Sequence, residues 1–324
     1  MKAMQPEKRT EINLEEYMTQ GVEHLVADLM KSAVLHPREG KFLLSFAAAS
    51  KKAAAVRHRY EEEGTHIPSF LICSITSRCN LHCAGCYARS LSLCGEGPET
   101  GQLSAAEWGS VFSQARDLGI GFALLAGGEP MVRRDVLEAA AGVPEILFPV
   151  FTNGTMLSGE MTELMDRNRN LIPIFSVEGG EETTDRRRGT GVYRAVERAM
   201  AELQARRMLF GVSVTVTTRN QAEVMSSPFV SALKEKGCKA VIYVEYVPTE
   251  DADSPLAPDD ACREAIAARM EALRRESDMI LLSFPGDERA DGGCMAAGRG
   301  FFHINSQGGA EPSPFSPYSD GSLR

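Results

Sequence analysis

The sequence predicts an α/β fold, a partial (β/α)6 TIM-like barrel with an N-terminal helical extension. From residue 68 onward, short apolar segments of strand composition alternate with longer segments of helical periodicity. Such alternation indicates parallel strands joined by right-handed helical crossovers. Six such units are too few to close an eight-stranded barrel, so we expect an open one. With 43% apolar and 24% charged residues, the chain has the composition of a globular protein with a substantial core.

The individual elements follow from local patterns. Ser104 and Glu107 have the spacing of a capping box and predict that a helix begins there. Further helices are predicted over 193–207 and near 259–277 from their apolar periodicity. Strands are predicted at 70–75, 121–125, 147–152, 172–177, 211–217 and 240–247.

These patterns divide the chain into three parts. Residues 1–66 are predicted to be a helical extension that shields one side of the core, with a functional cap as the alternative. Residues 67–248 are predicted to form the barrel. Residues 249–324 are predicted to hold a polar linker, one helix and a tail rich in Gly, Pro and Ser. The tail stops abruptly, which suggests a truncated chain.

Charge and apolar patterning exclude several classes of protein. The net charge is −9, from 35 basic and 44 acidic residues, which argues against general nucleic-acid binding. No run of about 18 apolar residues predicts a membrane span, and the charged start lacks the apolar stretch of a secretory signal. We therefore expect a cytoplasmic protein with no membrane association. In that reducing compartment, eight cysteines indicate ligands or buried residues rather than disulfides.

A cysteine triplet carries the strongest chemical signal. Cys79, Cys83 and Cys86 have C-x3-C-x2-C spacing and directly follow the first predicted strand. Loops at the carboxyl ends of barrel strands hold active sites. Because a cubane cluster normally takes four thiolates, three local cysteines would leave one iron open. Spacing alone also allows half of a zinc site, with His82 or a remote cysteine as fourth ligand, or a plain structural cluster.

The triplet resembles the signature of the radical S-adenosylmethionine (SAM) superfamily. The resemblance implies a [4Fe–4S] cluster on these three cysteines, with the amino and carboxylate groups of SAM at the open iron. An electron from the cluster would then break a carbon–sulfur bond, giving methionine and a 5′-deoxyadenosyl radical that abstracts hydrogen from a substrate. One departure is Gly85, where many members have an aromatic residue; here Tyr87 follows the third cysteine.

Two later segments resemble SAM-binding elements of the same family. Gly127, Gly128, Glu129 and Pro130 resemble its GGEP segment, which implies a contact with the SAM amino group through backbone carbonyls and the glutamate. Asn153, in an Asn-Gly pair after the third strand, is implied to lie beside the ribose. Both segments are also ordinary strand-to-helix turns.

Four further SAM contacts are expected, three of them implied by the resemblance. Ser176 belongs to an element similar to the family's Ser-x-Asp-Gly, with Glu178 in place of aspartate, and would bind the ribose or carboxylate. Arg188 would pair with the SAM carboxylate, although its run of arginines is also compatible with a solvated basic surface. Ser213 shares one face of the fifth strand with two other hydroxyl residues, which indicates a polar cavity and a SAM contact, although an edge strand would show the same pattern. Val247 resembles the apolar wall against adenine.

The tail resembles a degenerate or truncated auxiliary-cluster (SPASM-like) extension. Cys294 opens a segment similar to such extensions, but Ser313 stands where a ligating cysteine is typical. Serine is a poor ligand for a soft iron–sulfur centre, so an auxiliary cluster is not expected. The cysteines outside the triplet are predicted to be buried small residues: Cys73, Cys94, Cys238, Cys262 and Cys294.

These features together predict a radical SAM enzyme that acts on an unidentified substrate, a small molecule or a peptide. The tail favours peptide or protein modification, and a reductant such as a flavodoxin or ferredoxin is implied. The alternative is a non-catalytic zinc or iron–sulfur binding protein. No catalytic side chain is identified; Tyr243, Glu245 and Tyr246 are candidates to reach the cavity, with their faces unassigned.

Overall fold

A computed structural model describes residues 37–97, 100–249, 251–289, 292–316, 318–319 and 321–323. The predicted helical extension lies partly outside the described residues, because 1–36 are not among them. Its described part is one helix, α1 (Pro37–Glu62). Helical secondary structure before the barrel is therefore confirmed for this segment.

The strands form one mixed sheet whose parallel part is the predicted open barrel. All six predicted strands are present, with ends shifted by at most two residues. The strands are β1 (Phe70–Ser74), β2 (Phe122–Ala126), β3 (Phe148–Thr152), β4 (Leu171–Val177), β5 (Gly211–Val216), β6 (Ala240–Glu245), β7 (Ile280–Phe284), β8 (Phe301–Ile304), β9 (Gly309–Glu311) and β10 (Gly321–Ser322).

Four strands were not predicted, and two of them extend the parallel sheet. The strand order is β10-β9-β8-β1-β2-β3-β4-β5-β6-β7. β7 pairs in parallel with β6, and β8 pairs in parallel with β1. β9 and β10 add antiparallel pairs beyond β8. The sheet has two free edges, so the barrel is open, as the sequence predicts.

The helices connect successive strands and cover the outer face of the sheet. The predicted capping box is confirmed, since Ser104 and Glu107 bond reciprocally at the start of α3. The helices after α1 are α2 (Tyr87–Ser90), α3 (Ala105–Asp117), α4 (Arg134–Ala141), α5 (Gly159–Arg167), α6 (Glu181–Arg188), α7 (Val192–Ala205), α8 (Gln221–Val224), α9 (Ser227–Glu235) and α10 (Asp260–Glu276). None of the helices described is both long and apolar enough to span a bilayer.

The main core lies between the sheet and these helices. Trp108 on α3 is fully buried and stacks on Phe112, which meets Phe148 of β3 edge to face. A second, smaller cluster fills the inner side of the barrel around Ile174, Ile242 and Leu282. Because strand side chains alternate, this assigns the inner face of each strand.

Helix α1 covers the end of the barrel where the strands begin. Phe46 meets Phe122, the first residue of β2, with ring centroids 5.5 Å apart. Arg57 donates to the carbonyl oxygen of Gly119, before β2, and Arg169, before β4, pairs with Glu39. The opposite end, where the strands terminate, carries the polar loops.

Candidate active site

The cysteine loop leaves the carboxyl end of β1 and is folded back on itself by an arginine. Cys79, Cys83 and Cys86 are all half-buried. Arg89 of α2 donates to the carbonyl oxygen of Leu81 at 2.7 and 3.0 Å and to that of Cys79 at 3.3 Å. These hydrogen bonds from Arg89 to backbone carbonyl oxygens therefore fix the shape of the loop.

A second arginine, Arg187, fastens the same loop from α6. Its guanidinium donates to the carbonyl oxygens of Ala84, at 3.1 Å, and Gly85, at 3.4 Å, and pairs with Glu178 at 2.7 Å. The Arg187 carbonyl also accepts from the backbone N–H of Ala84. Its neighbour Arg186 is 62% exposed and pairs with Glu182. The solvated-surface interpretation thus suits Arg186 and is wrong for Arg187, whose role depends on contacts a hundred residues away.

Replacing Arg187 by Met is expected to lower cluster retention. The change removes charge-assisted hydrogen bonds to the loop, each worth about 1.5–3 kcal/mol. We expect less iron per chain after anaerobic reconstitution and faster iron loss to a chelator. Arg186→Met, which leaves the loop contacts in place, is the matched control. Equal iron retention by the two variants would contradict this role.

The three thiols differ in their electrostatic surroundings. A hydrogen bond from the Cys94 thiol lowers the pKa of Cys86 to about 5. Burial raises the pKa of Cys79 and of Cys83. Arg188 lies close enough to act on Cys83 and Cys86. Cys94 is therefore not the inert buried residue that the sequence predicts, whereas Cys73, Cys238 and Cys262 are buried as predicted. The predicted burial of Cys294 is wrong, because it lies in the segment between β7 and β8 and is exposed.

The glycine before Cys86 accommodates an aromatic ring supplied by another strand. Gly85 has φ +62°, and a Cβ there would lie 3.0 Å from Cε2 of Tyr246 and would overlap its hydroxyl. Tyr246 follows β6, is 4% exposed and stacks with the Arg187 guanidinium at 5.8 Å. An aromatic side chain thus packs against the loop here, although position 85 itself has none.

Gly85→Ala is expected to destabilise the loop. Left-handed backbone costs a non-glycine residue about 1–2 kcal/mol, and the Tyr246 ring must also move. We expect a lower midpoint of thermal unfolding and reduced iron binding, partly rescued by Tyr246→Leu in the double variant. Gly95→Ala is the control, because nothing lies within 4 Å of a Cβ there. A Gly85→Ala protein indistinguishable from that control would refute the expectation.

The segment after β2 is joined directly to the start of the cysteine loop. The N–H of Gly128 donates to Thr76 O at 2.8 Å, and that of Glu129 donates to Arg78 O at 2.7 Å. A Cβ on Gly127 would overlap the Thr76 carbonyl, and one on Gly128 would overlap that of Arg78. Both glycines are therefore required by close backbone approach.

Glu129 braces the ends of two strands. Its carboxylate accepts from Thr152 Oγ1 at 2.7 Å, Asn153 N at 2.8 Å and Met131 N at 3.0 Å, and the residue is 1% exposed. Pro130 begins the short helical turn that follows. The brace holds the carboxyl ends of β2 and β3 in register.

Asn153 links the turn after β3 to the cysteine loop. Its Nδ2 donates to Asn80 Oδ1 at 2.9 Å, and its Oδ1 accepts from Thr155 N at 3.0 Å. The residue is buried. It is thus both a turn former and a contact of the cysteine loop.

Two of the predicted serines face the inside of the barrel. Ser176 on β4 and Ser213 on β5 are register partners and half-buried, and they alternate with core residues that face the helices. Val247 lies just beyond β6 and is 39% exposed. The structure thus places these residues around the mouth of the barrel.

Arg188 lies beside the cysteine loop in a buried ion pair. Its Nε and Nη2 contact Glu178 Oε1 at 2.8 and 2.6 Å. Burial lowers the pKa of Arg188, but Glu178 and the nearby thiols more than offset this, so its pKa is raised. The guanidinium is therefore a fixed positive charge next to Cys83 and Cys86.

The faces of the sixth strand are now assigned. Tyr243 points into the helical layer, where its hydroxyl donates to Val224 O at 2.9 Å. Glu245 pairs with Arg263 of α10 at 2.8 Å. Neither reaches the inside of the barrel, so the proposed role for these two is wrong, and Tyr246 is the one that faces inward.

The donor set suits a cofactor of several irons. Three soft thiol side chains lie on one loop, with two arginines beside them to offset the charge of thiolates. Among the described residues, no three His, Cys, Asp or Glu side chains are gathered as ligands of a single metal ion. His82 is 63% exposed in its side chain and pairs with Glu96.

Comparison with known proteins identifies the class. Residues 73–225 match the family model described as the radical SAM superfamily. The chain is 27% identical over 293 residues to the AdoMet-dependent heme synthase of Methanosarcina barkeri, covering 80% of each protein. It is 36% identical over 123 residues to the PqqA peptide cyclase of Rhizobium meliloti, covering 37% of this chain but only 32% of that protein.

Solved structures share the fold at low sequence identity. Streptococcus suis SuiB bound to S-adenosylmethionine superimposes with a TM-score of 0.64 at 15% identity, covering 94% of this chain and 77% of that one. The chain carries a radical SAM domain over residues 73–225 and is a radical SAM enzyme. SAM and an iron–sulfur cluster are the cofactors that this domain implies.

Proposed function

We propose that Cys79, Cys83 and Cys86 hold a [4Fe–4S] cluster whose open iron binds SAM, and that the enzyme cleaves SAM reductively to act on an unidentified substrate. When bound, the cluster and SAM supply the electron and the carbon–sulfur bond whose cleavage gives a 5′-deoxyadenosyl radical. The observation that carries the proposal is the direct backbone pairing of Gly128 and Glu129 with the segment that precedes Cys79. This pairing fixes the SAM-binding segment against the cluster loop.

The residues around the barrel mouth would then position SAM. The backbone carbonyls of Gly127 and Gly128, together with the carboxylate of Glu129 that Thr152 and Asn153 hold in place, would receive the amino group. Arg188 would attract the SAM carboxylate, since a fixed guanidinium suits that anion. The remaining proposed contacts are Pro130, Asn153, Ser176, Ser213 and Val247.

An external electron donor completes the proposal. Reductive cleavage consumes an electron, and we propose a flavodoxin or ferredoxin as its source in the cytoplasm.

Peptide or protein modification is the proposed specific role. It is supported by the match to a peptide cyclase and by the fold shared with SuiB, whose structure with the precursor peptide SuiA superimposes at a TM-score of 0.61 and 14% identity. The heme synthase match covers more of the chain, so tetrapyrroles are the competing substrate class. Turnover of labelled SAM with peptides or with iron porphyrins separates the two.

The cluster proposal is tested on anaerobically purified protein. Iron and sulfide are counted, and the electron paramagnetic resonance spectrum of the reduced protein is recorded with and without SAM. We expect about four irons per chain, a SAM-perturbed signal and formation of 5′-deoxyadenosine. Zinc without labile sulfide, or a cluster indifferent to SAM, would favour the non-catalytic alternative.

A further inference from the structure

A polar cavity of about 290 Å³ lies between the cysteine loop and the β8–β9 hairpin. Its wall includes Ser74 at the end of β1, Gln102, and His303 and Asn305 on the hairpin side. Gly127 also lines it, so the cavity adjoins the proposed SAM segment. Its volume is at the lower end of ligand pockets, enough for a small ligand or one side chain of a larger one.

A chain of hydrogen bonds ends in this cavity. His303 Nε2 is 2.8 Å from Ser74 Oγ, and His303 Nδ1 is 2.7 Å from Glu311 Oε2. The other oxygen of Glu311 accepts from Asn305 Nδ2 at 2.6 Å. His303 and Glu311 are only 2% and 5% exposed, so both side chains are held in place. The Ser74 hydroxyl, the His303 imidazole and the Glu311 carboxylate thus form a continuous chain of hydrogen bonds.

The surroundings favour a neutral imidazole with one defined tautomer. An ionised carboxylate only accepts hydrogen bonds, so Glu311 assigns the proton to Nδ1 and leaves the Nε2 lone pair facing Ser74. Burial lowers the pKa of His303. Tyr87 is the other titratable side chain in the described wall, and burial raises its pKa. No Lys or Arg is among the described lining residues.

We propose that this cavity binds a neutral polar group of the substrate, a hydroxyl or an amide, and that Nε2 of His303 accepts a hydrogen bond from it. No covalent bond changes in this step: the O–H or N–H of the substrate donates to the Nε2 lone pair, directly or through the Ser74 hydroxyl. Glu311 holds the proton of the imidazole on Nδ1, so that Nε2 stays an acceptor. No electron is transferred. The inference rests on the proposed function only in taking the occupant to be the substrate.

The test measures the reactivity of Nε2 on the cluster-loaded protein. Diethyl pyrocarbonate acylates neutral imidazole, and mass spectrometry reports each histidine separately. His58, whose side chain is 76% exposed, is the internal reference. We expect His303 to react, and to react several-fold faster in Ser74→Ala because the Nε2 lone pair is uncovered. Added acetamide is expected to protect His303 but not His58. Nitrogen NMR of labelled histidine should show Nε2 without a proton at neutral pH, and His303→Gln assigns that signal.

Three results would overturn the inference. These are an unreactive His303 in both wild type and Ser74→Ala, a protonated Nε2, and absence of acetamide protection. Formation of 5′-deoxyadenosine by Ser74→Ala is measured as well, because it reports on the proposed SAM cleavage independently of the cavity. If wild type fails to cleave SAM while His303 behaves as expected, the proposed function fails and the hydrogen-bond-accepting site remains.

Discussion

Cys83→Ala is expected to abolish both cluster binding and SAM cleavage. The thiolate is a proposed direct ligand, and the neighbouring thiol, Cys94, is already hydrogen-bonded to Cys86. Metal binding of this kind needs every thiolate, because a cubane with two protein ligands is exposed to solvent on two corners. Iron and sulfide analysis after reconstitution, together with 5′-deoxyadenosine formation, measures the effect.

Cys294→Ala is the matched control for this experiment. Cys294 is exposed and lies in the tail, where Ser313 occupies the position typical of a second ligand. We expect the control to keep the iron content of wild type. A normal cluster spectrum in Cys83→Ala would refute the ligand assignment, and iron loss in Cys294→Ala would show that the tail binds metal.

Gly128→Ala is expected to have the second largest effect. A Cβ at this position would overlap the carbonyl oxygen of Arg78 and lie 3.0 Å from the backbone nitrogen of Cys79. Both are backbone atoms, so the strain cannot be relieved by a side-chain rotation. Overpacking of this kind costs about 1–3 kcal/mol, and relief requires the cysteine loop to separate from the β2 segment.

The measurement combines thermal unfolding with reconstitution. We expect a lower midpoint of thermal unfolding. At temperatures where the protein is folded, we expect the rate of SAM cleavage to fall by a larger factor than the iron content per chain. Gly95→Ala, in the same loop but with open space at its Cβ, should behave as wild type. A Gly128→Ala variant with normal SAM cleavage would show that the two segments are not coupled.

The sequence predicts β1 to β6 well because each is a local apolar segment next to a periodic helix. It does not predict β8, which joins the sheet by pairing with β1 from the other end of the chain. It does not predict β7 either, although β6, α10 and β7 form a parallel β-α-β unit like the earlier ones. Long-range pairing leaves no periodic trace in the sequence.

The candidate site likewise has a part that the sequence predicts and a part that it does not. Cys79, Cys83, Cys86 and the Gly-Gly-Glu-Pro segment are recognised by their resemblance to family motifs, because each motif is contiguous in the sequence. The role of Arg187 depends on contacts about a hundred residues away, and that of His303 depends on contacts with distant Ser74 and nearby Glu311. His303 and Glu311 face each other on the two strands of a hairpin in the tail, and no local pattern in the sequence pairs them. Only the fold brings such residues together.

The parallel pairing of β8 with β1 has a consequence for synthesis of the protein. The hydrogen bond between Ser74 and His303 joins residues 229 positions apart. Loop closure over such a separation is slow, and during translation β8 leaves the ribosome long after β1. The strand that leads into the cysteine loop therefore keeps an unpaired edge until β8 has emerged. A site with β8 in place is thus available for cofactor insertion only after β8 has been synthesised.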